Sequence, residues 1–124
     1  MVDVANVMGS RPDGWWRDRA GAATRLLASL APLAGSSVSL PNGDDVSVAR
    51  VVAVTEGKAR SAVTPEGLDV VAAPADGDSS IAAAAVDVVA DGGVPVVATA
   101  DRGLRARLPD GAISVGPGWL LALL

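Results

Sequence analysis

Short, almost continuously apolar runs alternate along this chain with longer segments of helical spacing. The runs lie at 48–55, 68–73, 95–99 and 112–115, and a shorter apolar stretch occupies 2–7. Runs of this kind, rich in β-branched residues, are typical of strands that are covered on both faces. Strands that alternate with helices form parallel sheets. The sequence therefore predicts an α/β fold with a mostly parallel sheet of about five strands.

One long stretch of helical spacing separates the apolar stretch 2–7 from the run at 48–55. From Trp16 to Leu33 apolar residues recur every three or four positions, which predicts an amphipathic helix that ends before Gly35. The polar segment 36–47 predicts a loop or a small hairpin. Shorter helical segments are predicted over 78–90, 102–108 and 119–124. A chain of this length predicts one domain, covering residues 1–124.

The residue types that are missing restrict the chemistry. The chain has no cysteine and no histidine, so disulfides, thiolate zinc sites, cysteine nucleophiles and imidazole bases are excluded. Catalysis would have to come from carboxylates together with a hard cation that prefers oxygen ligands. The net charge of −4 argues against binding a polyanion through bulk charge. Nine of the ten basic residues are arginines, however, and a local arginine patch could still hold a phosphate backbone.

Signals of export or membrane insertion are missing as well. The first residues, MVDVANV, contain no basic segment and no long apolar segment. No apolar run approaches the roughly 18 residues that a membrane span requires. We therefore expect a soluble, cytoplasmic protein without a membrane partner.

One acidic residue lies within the first apolar run or shortly after each of the next three. These residues are Asp3, Glu56, Asp78 and Asp101. Ligands of open parallel sheets bind at the carboxyl ends of the strands, so we expect these side chains to lie near one another. Taken singly, Asp78 and Asp101 fit helix N-caps and Glu56 fits a solvated loop residue. Asp3 lies within an apolar run and is expected to have no helix to cap. Together, four acids at four successive strand ends predict a shared cation.

Five short motifs stand at the strand ends and helix starts: the D-x-x-N of VDVANV, the TEG after the second strand, GDSSI at the start of a helix, TADRGL after the fourth strand, and the phrase GSRPDGWWRDRAG. With these motifs the chain resembles the PIN-like nucleases, in particular the NYN or YacP-like branch. The resemblance covers nearly the whole chain. It implies a three-layer α/β/α sandwich with strand order 3-2-1-4-5. It also implies a carboxylate cluster that binds Mg²⁺ or Mn²⁺ and activates a water molecule to cut RNA.

The resemblance also implies roles for individual residues. Asp3, Asp78 and Asp101 would be catalytic metal ligands, Glu56 a fourth catalytic acid, and Asn6 would position the first loop. Members of this branch commonly have a second acid directly after the aspartate that opens the helix. In this chain Ser79 stands there instead. That departure could weaken the binding of a second metal ion.

Basic and aromatic residues near the predicted site could bind RNA by holding phosphates and stacking on unpaired bases. They are Arg11, Arg17, Arg19, Arg102 and Arg105, with Trp15 or Trp16 as the stacking residue, and Asn6 and Ser79 complete the set. Their alternative is a solvated helix face, which is the usual place of arginines on amphipathic helices. Trp16 lies on the apolar side of the predicted helix and is expected in the core, whereas Trp15 is expected to be exposed.

The implied strand order makes the first strand central, and a central strand should contribute about five residues. Only Met1 and Val2 precede Asp3. We therefore expect either that the native chain starts upstream or that this strand is unusually short and runs on past Asp3.

Three functions remain open at this stage. The first is a metal-dependent ribonuclease that hydrolyses phosphodiester bonds of single-stranded or structured RNA. The second is a weakly active or inactive module of the same fold that binds RNA or protein, and the third is a toxin of a toxin–antitoxin pair. The apolar end of the chain, WLLALL, also suggests a homodimer contact.

Overall fold

The computed structural model describes residues 1–124, and a five-stranded parallel sheet lies at its centre. The strands are β1 (Val2–Asp3), β2 (Ser37–Ser39), β3 (Asp45–Ser47), β4 (Val52–Thr55), β5 (Asp69–Ala72), β6 (Val96–Ala98) and β7 (Ile113–Val115). The helices are α1 (Val4–Gly9), α2 (Arg19–Leu30), α3 (Gly77–Ala90), α4 (Arg102–Arg107) and α5 (Pro117–Ala122).

Strand order in the large sheet is β5-β4-β1-β6-β7, and every pairing is parallel. Counted along the chain, these are the third, second, first, fourth and fifth strands of that sheet. The predicted order 3-2-1-4-5 is therefore confirmed. The strand order reverses at β1, and in open α/β sheets ligands bind at such a point.

Helices cover both faces of the sheet, which confirms the three-layer α/β/α arrangement. On one face, α1, α2 and α5 pack on alternate strand residues in a cluster of 16 buried side chains that includes Leu27 and Leu30. On the other face, α3 and α4 bury a smaller cluster of six, which includes Val54, Ile81 and Leu104. Because neighbouring strand residues point to opposite faces, and Asp3 is in register with Val54, the Asp3 side chain lies on the α3/α4 face.

The first strand does not run on past Asp3. β1 has only two residues, and α1 begins at Val4 because the Asp3 side chain caps it. Backbone pairing extends one residue the other way, since the Met1 carbonyl accepts from the Ala98 N–H at 2.9 Å. The alternative, that the native chain starts upstream, stays a prediction.

The first long helix begins later than its apolar spacing predicts, which reverses the places of two tryptophans. Trp15–Arg17 form a 3₁₀ turn, and α2 begins at Arg19 after the N-cap Asp18. The helical spacing therefore does not extend back to Trp16, which is 54% exposed. Trp15 instead packs against the larger core cluster. The prediction that Trp16 is buried and Trp15 exposed was wrong.

The hairpin and the C-terminal segment complete the fold. β2 and β3 pair antiparallel, so the polar segment 36–47 is a small hairpin. In α5, Leu120 is buried and the Trp119 Nε1 donates to the Ser39 carbonyl at 3.2 Å. Much of the apolar C-terminal segment thus packs on its own chain, and the homodimer stays a prediction. None of the helices has both the length and the apolar character needed to cross a membrane.

Candidate active site

Four carboxylates lie at the carboxyl ends of the parallel strands, and we call this region the acidic edge. Its members are Asp3, Glu56, Asp78 and Asp101. Asp3 ends β1 and Glu56 directly follows β4. Asp78 lies in the first turn of α3, which follows β5, and Asp101 lies just after β6. The structure therefore brings to one edge the four acids that the sequence predicted there.

Asp3 is the most enclosed of these acids, with 5% of its surface exposed. Its Oδ1 accepts from the Asn6 N–H at 3.3 Å, so Asp3 is the N-cap of α1 and the expectation that it has no helix to cap was wrong. Its Oδ2 accepts from the Thr99 hydroxyl at 2.8 Å. Burial raises the pKa of Asp3, the two hydrogen bonds oppose that rise, and the charges of Glu56 and Asp101 add to it.

Thr99 is a residue that sequence reasoning missed. It is fully buried after β6, and besides donating to Asp3 it accepts from the Asp101 N–H at 3.1 Å. Its place as the first residue of TADRGL, a polar side chain at the end of an apolar strand, was the available signal. A second link lies beside it, because the Asn6 Oδ1 accepts from the Ala100 N–H at 2.8 Å. The structure thus shows Asn6 tying α1 to the segment that leads into α4.

Asp101 caps α4, as its position predicted. Its Oδ1 accepts from the Leu104 N–H at 3.0 Å. This hydrogen bond occupies one carboxylate oxygen and leaves Oδ2 with no protein donor. Asp101 can therefore cap α4 through Oδ1 and still offer Oδ2 to a metal ion.

Asp78 does not cap α3. The cap is Asp76, whose Oδ1 accepts from the Ser79 N–H at 2.9 Å, so the N-cap interpretation of Asp78 was wrong by two residues. Either acid of the DGDS segment could cap the helix, and apolar periodicity that starts only at Ile81 does not distinguish them. Burial raises the pKa of Asp78, and the negative charges of Asp101, Asp3, Asp76 and Glu56 raise it further.

Glu56 joins the end of β4 to the start of α3. Its Oε2 accepts from the Gly77 N–H at 2.5 Å, and the residue is half-buried rather than a freely solvated loop residue. A Cβ atom at position 77 would lie 3.4 Å from that oxygen, tighter than most such contacts, so the close approach favours glycine. Glu56 Oε1 has no protein donor.

No cation of the protein neutralises the acidic edge. The one ion pair of the chain joins Arg50 and Asp69, at the opposite end of the sheet. Arg105 turns to the backbone, where its Nε and Nη2 donate to the Thr99 carbonyl at 3.0 and 2.7 Å. Arg107 donates to the Ser79 hydroxyl at 3.2 Å. Four carboxylates therefore stand together without an ion-pair partner.

The residues predicted to bind RNA fall into two groups. Asn6, Ser79, Arg102 and Arg105 belong to elements that begin at the acidic edge, and of these Arg102 is exposed directly after Asp101. The other group follows α1 and comprises Arg11, Trp15, Arg17 and Arg19. Arg11 and Trp15 line a small recess with Met8. The structure thus separates the predicted RNA contacts into two surfaces rather than one.

The donor set at the acidic edge suits a hard divalent cation in kind, because it consists of carboxylate oxygens, and their charges add to the rise that burial causes in the pKa values of Asp3 and Asp78. The present spacing of these side chains, however, does not suit such a cation. No group of three or more acidic side chains is arranged so that it could hold a metal ion. Binding would therefore require side-chain rotation that brings the carboxylates closer together.

Comparison of the chain with protein-family models, with curated proteins and with solved structures finds no match.

Proposed function

We propose that this chain is a metal-dependent ribonuclease that hydrolyses phosphodiester bonds at the acidic edge. The observation that supports it most is the set of four carboxylates without an ion-pair partner; burial raises the pKa of two of them, Asp3 and Asp78, and the charges of the others raise it further. Such repulsion is unfavourable in the protein alone and is relieved by a bound cation. The topology agrees, since the acids surround β1, the strand at which the strand order of the sheet reverses.

Asp3, Asp78 and Asp101 would hold Mg²⁺ or Mn²⁺. When bound, such an ion lowers the pKa of water and offsets the negative charge that develops on the phosphate. The chain's own residues supply orientation. Thr99 holds the Asp3 carboxylate in place, and Asn6 fixes the neighbouring backbone at Ala100.

Two further residues complete the proposed reaction. The free Oε1 of Glu56 accepts the proton that the attacking water loses, while Oε2 stays bound to the Gly77 N–H. Arg102, exposed at the start of α4, binds a phosphate oxygen of the RNA. The water oxygen bonds to phosphorus, the bond from phosphorus to the leaving ribose oxygen breaks, and that oxygen takes up a proton from solvent.

The spacing of the acids favours a second candidate, a module of the same fold that binds RNA without cutting it. No three acids are arranged to hold a metal ion, and Ser79 bonds to Asp76 and Arg107 where an additional acid could have stood. In that case the acidic edge would be a remnant of a catalytic site. The two candidates differ in whether Mn²⁺ produces cleavage.

Cleavage of end-labelled single-stranded and hairpin RNA, with Mn²⁺ and with EDTA, tests the proposal. The sharpest variant is Asp101→Asn, and the chain offers a matched control in Asp18→Asn. Both aspartates are N-caps that accept from a backbone N–H three residues on, at 3.0 Å from Leu104 and at 2.9 Å from Gly21. Asparagine caps about as well as aspartate, so each change keeps the cap and removes a charge.

We expect Asp101→Asn to lose on the order of 100-fold or more in rate, since each 1.36 kcal/mol of lost transition-state stabilisation is about tenfold. Asp18→Asn should cleave at least as fast as the wild type, because the charge it removes does not belong to the acidic edge. Equal rates in the two variants would reduce Asp101 to a helix cap. RNA binding without cleavage by the wild type, with Mn²⁺ present, would favour the second candidate.

A further inference from the structure

An open groove with a cavity volume of about 300 Å³ lies between the start of α2 and the turn that follows β4. It is lined by Trp16, Arg17, Asp18, Arg19, Lys58 and Ser61, and we call it the Trp16 groove. Its volume is at the lower limit of the range of about 300–1,000 Å³ that is usual for ligand sites. The two sides are joined by a hydrogen bond of 3.0 Å from the Val63 N–H to the Thr24 hydroxyl. The groove therefore belongs to the folded framework and is not a gap between unconnected loops.

The aromatic wall of the groove is exposed but anchored. Trp16 is more than half exposed, and its ring meets that of Trp15 edge to face, with 6.1 Å between ring centroids. Trp15 in turn packs against the larger core cluster. A tryptophan that is more than half exposed contributes less to stability than a buried one, whereas an indole held in place is a good platform for a flat ligand. The Arg17 guanidinium lies over the Trp16 ring, 5.8 Å from its centroid, and so brings a positive charge to this wall.

The charged wall of the groove is cationic, although the chain as a whole is acidic. Arg17, Arg19 and Lys58 contribute three positive charges, and none of them is in an ion pair. The one carboxylate, Asp18, accepts from the Gly21 N–H at 2.9 Å as the cap of α2. A ligand for this groove should therefore combine a flat unsaturated ring with negative charge.

The groove begins close to the acidic edge. Lys58 is two residues after Glu56, so their Cα atoms are no more than about 7 Å apart. A polymer that extends from the acidic edge past Glu56 can reach Lys58 and, in the same groove, Trp16. A cation and a flat ring in one groove match a polynucleotide, in which each unit carries one negative charge and one flat ring.

We infer that the Trp16 groove binds a single-stranded segment of RNA that extends from the acidic edge, with a base stacked on Trp16 and the backbone against Lys58, Arg17 and Arg19. The inference rests on the proposed function for the identity of the polymer. It adds a binding surface outside the acidic edge and a preference for single strands. Bases of a duplex are stacked on one another and cannot reach an indole, whereas unpaired bases can.

Fluorescence anisotropy of a labelled single-stranded 12-nucleotide RNA, measured in EDTA, tests this inference without any cleavage. The variants are Trp16→Ala and Lys58→Ala, and the control is Arg25→Ala, which removes an exposed arginine of α2 outside the groove. We expect about tenfold weaker binding for Trp16→Ala, which is the loss of one base-stacking contact. Lys58→Ala should lower the slope of log affinity against log salt by about 0.7, the value for one phosphate contact of a single strand. Arg25→Ala should bind like the wild type.

Each outcome separates the groove from the nuclease. Equal affinities of Trp16→Ala, Lys58→Ala and Arg25→Ala would overturn the groove, even if Mn²⁺-dependent cleavage is observed. Binding of an RNA duplex as tightly as the single strand would also overturn it. Weakened binding in Trp16→Ala with an unchanged melting temperature would support the groove, even if no cleavage is found.

Discussion

The two ends of the parallel sheet treat their carboxylates differently. At the amino end, Asp69 opens β5 and its Oδ2 lies 3.0 Å from the Arg50 Nε, with both side chains more than half exposed. At the carboxyl end, the four carboxylates of the acidic edge have no ion-pair partner, and Asp3 is almost completely buried. An acid paired on the surface needs nothing further. A group of unpaired acids costs stability and is compensated only by a charge from outside the chain.

The largest effect that separates the two ends is stabilisation by Mn²⁺. An ion that binds only the folded protein stabilises it by about 2.7 kcal/mol at a hundredfold excess over its dissociation constant. For a chain of this size the melting temperature should rise on the order of 10 °C. Asp78→Asn should lose most of that rise, because it removes a charge of the acidic edge. Asp69→Asn should keep the whole rise.

Thermal melts of the three proteins, each with Mn²⁺ and with EDTA, supply the comparison. A rise of equal size in wild type and Asp78→Asn would show that the ion binds elsewhere. A smaller rise in Asp69→Asn would show that the amino end also responds to the metal, and the contrast between the two ends would fail.

The fold was predictable because its signals are local. Almost continuous apolar runs such as 48–55 indicate strands that are buried on both faces, and α/β alternation indicates parallel pairing. The first strand was predicted as a short central strand, but its end at Asp3 was not, because a strand of two residues has no periodicity and its bounds follow only from its pairing with β4 and β6. Trp16 was misplaced for a related reason, since a 3₁₀ turn and a helix share the same apolar spacing over one turn.

The acidic edge was predictable in its members but not in its contacts. Strand ends can be read from the sequence, so the four acids could be assigned to one edge. The hydrogen-bond partners of these acids cannot be read from the sequence, because residues such as Thr99 and Asp3 are 96 positions apart along the chain. The choice of Asp76 over Asp78 as the cap of α3 likewise depends on backbone angles at the start of the helix. Metal binding itself was predicted from the four acids at strand ends and from a resemblance, and it stays a prediction.

A second, smaller effect concerns the buried hydroxyl groups at the ends of β4 and β6, the two strands that flank β1. Thr99 donates to Asp3 at 2.8 Å and accepts from the Asp101 N–H, whereas Thr55 donates only to the Val71 carbonyl, at 3.5 Å. Thr99→Val leaves a buried carboxylate with one partner fewer and should lower the free energy of unfolding by about 1–3 kcal/mol. Thr55→Val keeps the shape, loses a bond at the limit of hydrogen-bond distance, and should cost less than about 1 kcal/mol.

Urea denaturation of the two valine variants measures this difference. Because the Thr99 hydrogen bond lowers the pKa of Asp3, that pKa should also rise in Thr99→Val and stay unchanged in Thr55→Val. NMR titration of the Asp3 carboxyl carbon reports the pKa directly. Equal losses of stability in both variants, with no change in the pKa of Asp3, would show that Thr99 does not hold the carboxylate.

The smallest effect is the pH dependence of stability in EDTA. The pKa of Asp78 is raised above 3.8 by burial and by the neighbouring charges. In the pH window between its unfolded and folded values, the folded protein therefore binds more protons than the unfolded chain. The free energy of unfolding then falls as pH rises through that window. Asp78→Asn has no such group, so its stability relative to wild type should increase from pH 4 to pH 6.

We expect this increase to be about 0.2–1 kcal/mol, the range for partly exposed charge pairs. The dipole of α3 acts in the opposite direction, because a carboxylate in the first turn of a helix is favoured by about 0.3–1 kcal/mol. The raised pKa indicates that burial and repulsion outweigh the dipole.

Urea denaturation of wild type, Asp78→Asn and Asp69→Asn across this pH range shows whether repulsion or the helix dipole dominates at Asp78. Asp69→Asn loses an attractive ion pair, so it should not become more stable than wild type at pH 6. If Asp78→Asn instead becomes less stable relative to wild type as pH rises, the helix dipole dominates at Asp78. Repulsion at the acidic edge would then be too weak to draw in a cation.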